Sequence, residues 1–129
     1  RGPHPETRRY PWGDRWDRSC CNTGSPSTTP VAAHPSGASF YGCHDMAGNV
    51  EEWTSTRWGH RRKSSDFPYP YHADDGREDP ETLEYRVHRG GSFEGRPDNV
   101  RCSARAAALP QSAIRARGFR VALDLQRKE

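Results

Sequence analysis

Positions 45–53, DMAGNVEEW, gather three carboxylates, an amide and a glycine into one short stretch. Carboxylates, amides and backbone carbonyls are the hard oxygen donors that calcium takes, six to eight at a time and in flexible geometry. Ala47 and Gly48 are small enough to let the backbone turn and aim carbonyls inward. The same residues suit a polar turn leading into a strand anchored by Trp53. The residues alone leave both readings open.

Other reactive side chains are scattered. The cysteines are Cys20, Cys21, Cys43 and Cys102, with no CxxC pair, which argues against a zinc ribbon. Without a signal-peptide pattern, reduced thiols with Cys102 in the core are favoured over two disulfides. The histidines at 4, 34, 44, 60, 72 and 88 form no close pair and read as loop residues, His44 lying beside the acidic stretch. Ser92 follows Gly90–Gly91 but has no base-and-orienter set near it in sequence. The glycines read as a bulge where the backbone passes another segment. The helix and lysine of a phosphate loop are missing.

The elements that must hold these residues are short. The 129-residue chain is 31% hydrophobic, with a mean hydropathy of −1.13. That is low for a packed globule. Four Trp, five Tyr and four Phe argue for order, so the core is expected to lean on aromatic side chains. Twelve Gly and eleven Pro punctuate the whole chain. Strands are expected at Glu51–Thr56 and in TLEYRVHRGGSF, where Leu83, Tyr85 and Val87 alternate with polar residues. VRCSARAAA (100–108) alternates Val100, Cys102 and Ala104, which are expected to point inward. GFRVALDL (118–125) alternates Phe119, Val121, Leu123 and Leu125 as a C-terminal strand. Residues 22–39 and 59–82 read as loops. The net charge of +3 is well mixed and does not by itself imply nucleic acid. No apolar run is long enough for a membrane span.

Four stretches in fixed order, RRYPWGD (8–14), YGCHDMAGNVEEW (41–53), YRVHRGGSF (85–93) and GFRVAL (118–123), with VRCSAR (100–105) between the last two, resemble the C-terminal portion of the formylglycine-generating enzyme, or sulfatase-modifying factor, domain family. The resemblance runs from about Arg8 to about Leu123. It implies an α+β, C-type-lectin-like fold, loop-rich with short antiparallel strands and little helix. Residues 1–129 then form the C-terminal portion of a single such domain. The family's N-terminal half, which precedes YPWGD, becomes an expected partner, together with other domains of a parent protein.

The resemblance also implies chemistry. Calcium is the cation it assigns to the Asp45 side chain, the carbonyls of Gly48 and Val50, and the acid Glu52. A second family calcium site would begin at Asn22 and Thr23, but the acid that should follow is absent, so that site is not expected. The family's oxidases bind copper through two cysteines after GGS. Here FEGRPDNVR follows Ser92, and Cys102 fits a later, structural position, so no copper is expected. Glu51 stands where the oxidases often carry an aromatic residue. The iron histidines of the family's oxygenase branch come from a separate helical domain and have no counterpart here.

A third branch uses the fold to display variable side chains, as in diversity-generating retroelement proteins. The displayed positions correspond to residues 94–117, with Glu94, Arg96, Asp98, Asn99, Arg101, Arg105, Gln111, Ser112, Arg115 and Arg117 as the candidate ligand surface. An ordinary divergent loop is the competing view of that segment. Its five arginines favour an acidic protein partner over nucleic acid. The expectation is a non-catalytic ligand-binding or display module of a larger bacterial, cytoplasmic protein. The alternative is an active oxidase or related oxygenase whose catalytic residues lie in the missing half.

Overall fold

The computed structural model describes residues 8–123. Four strands, β1 (Glu51–Gly59), β2 (Tyr85–Arg89), β3 (Ala106–Ala108) and β4 (Arg117–Gly118), form one sheet in the order β3-β2-β1-β4. β2 is antiparallel to both neighbours, whereas β4 runs parallel to β1 through Glu51↔Arg117 and Glu52↔Gly118. The sheet is therefore mixed rather than purely antiparallel. Helix among the described residues is limited to 3-10 turns at Arg18–Cys20, Pro35–Gly37 and Pro97–Val100. None of these is long and apolar enough to cross a membrane.

β1 begins as expected and runs to Gly59, with register shifts on both sides of Arg57. β2 begins at Tyr85, not at Leu83, which is exposed. Consecutive Val87 and His88, which point to opposite faces of the sheet, are both buried, so β2 is covered on both faces at this point. The C-terminal alternation misleads. Strand structure stops at Gly118, after two residues paired with Glu51 and Glu52 of β1, and Phe119, Val121 and Leu123 are exposed. Leu125 lies outside the described residues. In 100–104, Val100 is buried, but Cys102 is exposed and Ala104 half-buried. That segment is held by its backbone: Cys102 N–H donates to Arg9 O, and Arg89 donates to the carbonyls of Cys102 and Ala104. Cys102 therefore does not belong to the core, whereas Cys20 and Cys21 are buried.

The main apolar cluster is small: Tyr10, Cys21, Ala47 and Val100, with Trp12 packed against it. Tyr10 and Trp12 stack at 5.2 Å, and Trp16 tilts against both. Buried polar side chains carry the rest. Arg77, almost fully buried, organises the 59–82 loop by forking onto Asp75 at 2.6–3.1 Å and lying over Tyr71. A buried charge is tolerable only when paired and hydrogen-bonded in this way.

Candidate functional site

Each polar residue of DMAGNVEEW has its own task. Gly48 has φ +77°, and a Cβ there would sit 2.4 Å from the Asn22 carbonyl oxygen, so only glycine fits. Asn49, also left-handed at φ 63°, is a hub. Its N–H donates to Asn22 O (2.9 Å), its Oδ1 accepts from Thr29 N–H (3.0 Å) and Asn22 Nδ2 (3.2 Å), and its carbonyl accepts from Phe93 N–H (2.9 Å). This ties the 22–29 loop to the GGSF turn. Sequence reasoning missed the Asn22–Asn49 pair; two asparagines in turn-rich segments were the available signal.

The two acids of this stretch that enter β1 each hold an arginine of the C-terminal segment. Glu51 Oε2 accepts from Arg117 Nε (3.1 Å) and Nη2 (2.9 Å), and from His88 Nδ1 at 3.2 Å. Arg117 Nη2 also approaches His88 Nε2 at 3.3 Å, and its guanidinium lies over Trp53 at 4.8 Å. An imidazole donating from Nδ1 and accepting at Nε2 satisfies both contacts as the neutral tautomer. Burial pushes His88 below the ordinary histidine range; Glu51 opposes and Arg117 adds to the shift.

Glu52 is gripped by Arg120, with Nε 2.6 Å from Oε2 and Nη2 on the other oxygen. Arg120 also donates to His44 O (3.0 Å) and Asp45 O (3.1 Å). Asp45 Oδ2 accepts from Ala32 N–H at 3.1 Å. The fold thus brings Asp45 and Glu52 around a single positive charge, and that charge is a guanidinium. A calcium ion on Glu52 would have to displace Arg120, so the donors as arranged do not fit the ion beside it. No cluster of three or more His, Cys, Asp or Glu able to hold a metal occurs among the described residues.

The candidate ligand surface divides. Glu94, Arg96, Asp98, Asn99, Gln111 and Arg115 are exposed. Arg115 pairs with Glu94 at 2.6 Å and lies over Phe93. Asn99 Oδ1 accepts from Arg96 N–H (2.9 Å), closing the Pro97–Val100 turn. Ser112 is half-buried, its Oγ accepting from Arg117. The Arg117 side chain is only 8% exposed and faces the sheet, because Glu51 and Trp53 draw it inward. Asp98, Asn99, Arg101 and Arg105 come together on a polar cavity of about 380 Å³ that reaches down to Glu51 and His88. A second cavity of about 280 Å³ is more apolar, lined by Tyr10, Phe40, Tyr41 and Met46 with Cys43 and Cys102.

Residues 2–125 match the sulfatase-modifying factor enzyme 1-like domain. The serine/threonine-protein kinase Pkn1 of Chlamydia trachomatis is 37% identical over 118 residues, covering 92% of this chain and 18% of the kinase. The formylglycine-generating enzyme of Thermomonospora curvata is 34% identical over 136 residues, covering 90% of this chain and 43% of the enzyme. Treponema denticola variable protein 1 superposes with a TM-score of 0.57 at 28% identity, over 79% of this chain and 35% of that one. The chain spans less than half the length of each. With little helix and a short mixed sheet, it has the C-type-lectin-like fold. The chain belongs to the sulfatase-modifying factor enzyme 1-like domain family.

Proposed function

We propose that this chain is a non-catalytic ligand-binding module that displays side chains of residues 94–117 from a C-type-lectin-like framework. It would serve within a larger bacterial protein, as a variable protein of a diversity-generating retroelement does. The observation that carries this reading is the segregation inside the segment. Val100 and Ala116 are buried, and β3 pairs with β2, while Glu94, Arg96, Asp98, Gln111 and Arg115 face solvent. A rigid backbone with exposed, exchangeable side chains is what a recognition surface needs. The likeness to variable protein 1 of T. denticola supports the same reading, and the small share of Pkn1 covered supports a module carried by a longer chain. In this reading Arg120 serves the cation position of the 45–52 loop, and calcium competes with it.

The test is a library randomised at Glu94, Arg96, Asp98, Gln111 and Arg115, screened for protease resistance and then selected for binding to protein targets. Most members are expected to fold, and binders should emerge. A library that mostly fails to fold overturns the reading. So does copper-dependent oxidation of a cysteine peptide by the unaltered chain.

A further inference from the structure

The polar cavity beside β2 carries an imbalance of charge. Its two acids are already committed: Glu51 to Arg117 and His88, and Asp98 to Arg9 (3.1 Å) and Arg101 (3.7 Å). Its remaining cations are Arg89 and Arg105. Neither meets a carboxylate among the described residues. Arg89 donates to the carbonyls of Cys102 (3.0 Å) and Ala104 (3.4 Å) and to the Tyr69 hydroxyl (2.9 Å), all neutral oxygens. Arg105 lies over the Trp58 ring at 5.2 Å and the Tyr69 ring at 4.6 Å, and its guanidinium hydrogen-bonds to no described residue. Tyr69 therefore joins the two arginines, one through its ring and one through its hydroxyl.

This arrangement has a physical consequence. Aromatic rings fix a guanidinium in place without consuming its N–H donors. A positioned guanidinium with a free donor edge matches the two oxygens of a carboxylate. The second positive charge strengthens the attraction, and the half-buried setting screens it less than bulk water does.

Resting on the display reading above, we infer that this cavity is a carboxylate-binding subsite: Arg105 receives an aspartate, glutamate or C-terminal carboxylate of a protein ligand, and Arg89 supplies the supporting charge. Specificity for an acidic anchor would then belong to the framework cavity, while the exposed residues around it set the rest of the epitope.

Sodium acetate, sodium phosphate and sodium sulfate would be titrated against chloride at constant ionic strength, with the arginine Nε–Hε NMR resonances as readout. Acetate is expected to shift the Arg105 resonance saturably. Arg105→Gln should weaken the response of neighbouring cavity resonances by about tenfold or more, and Arg105→Lys should restore it only in part. Arg18→Gln, at an exposed position outside both the cavity and residues 94–117, should leave it unchanged. Thermal melting of each variant separates loss of binding from loss of fold. An acetate response that is absent, or that persists in Arg105→Gln, overturns the subsite, as does tighter binding of phosphate or sulfate than of acetate. If acetate fails while the randomised library still yields binders, the subsite falls and the display reading stands. If acetate binds while the library does not fold, the reverse holds.

Discussion

Arg117→Met is the sharpest perturbation of this fold. Arg117 is 8% exposed, His88 5% and Glu51 23%, and all three meet at Glu51 Oε2 within 3.2 Å. Methionine keeps much of the aliphatic packing and removes the charge. Glu51 is then left partly buried with a neutral imidazole as its remaining partner. Breaking a buried pair from one side costs about 3–5 kcal/mol, and the residual access of water to Glu51 argues for the lower end, about 3 kcal/mol. The lost contact over Trp53 adds about 1 kcal/mol. A loss of about 4 kcal/mol is a large share of the 5–15 kcal/mol typical of a domain. At roughly 4 °C per kcal/mol for a chain of this size, the melting midpoint falls by about 16 °C. Urea unfolding followed by tryptophan fluorescence should show the midpoint move at constant m. The double change Glu51→Gln with Arg117→Met should recover part of the loss, because no carboxylate is stranded. An Arg117→Met variant within about 1 kcal/mol of the original, or a double variant no better than the single one, would refute the account.

Further outcomes follow from the same geometry. Burial lowers the His88 pKa, so unfolded His88 binds a proton that the native state refuses. Stability should fall as pH drops from about 6.5 toward the lowered native value, and His88→Gln should flatten that slope; an unchanged slope would count against it. Calcium at millimolar levels should leave the melting point of the unaltered chain in place but raise that of Arg120→Gln, with Glu52→Gln abolishing the gain; an equal rise in both proteins would show that Arg120 and the ion do not compete. Burial pushes the Cys21 thiol up to about 11, so at pH 8 Cys21 should resist iodoacetamide while exposed Cys43 reacts. Labelling of the two at one rate would contradict the packing around Cys21.

The sequence was most informative where motifs are short and local. The turn at Gly48 (φ +77°), the start of β1, the strand over Tyr85–Arg89 and the loop-rich fold could all be read from composition and turn residues. Those features depend on neighbours within a few positions. The acids of DMAGNVEEW could not be assigned that way. Their partners, Arg117 and Arg120, lie more than sixty positions downstream, and hard oxygens look the same whether a metal ion or a guanidinium will meet them. The alternation of Phe119, Val121 and Leu123 likewise promised a strand, but pairing with β1 ends at Gly118 and the three side chains are exposed. The polar cavity was legible only as scattered arginines. Whether Arg105 is neutralised or held over two rings with its donors open depends on how three distant loops close, and no local pattern encodes that closure.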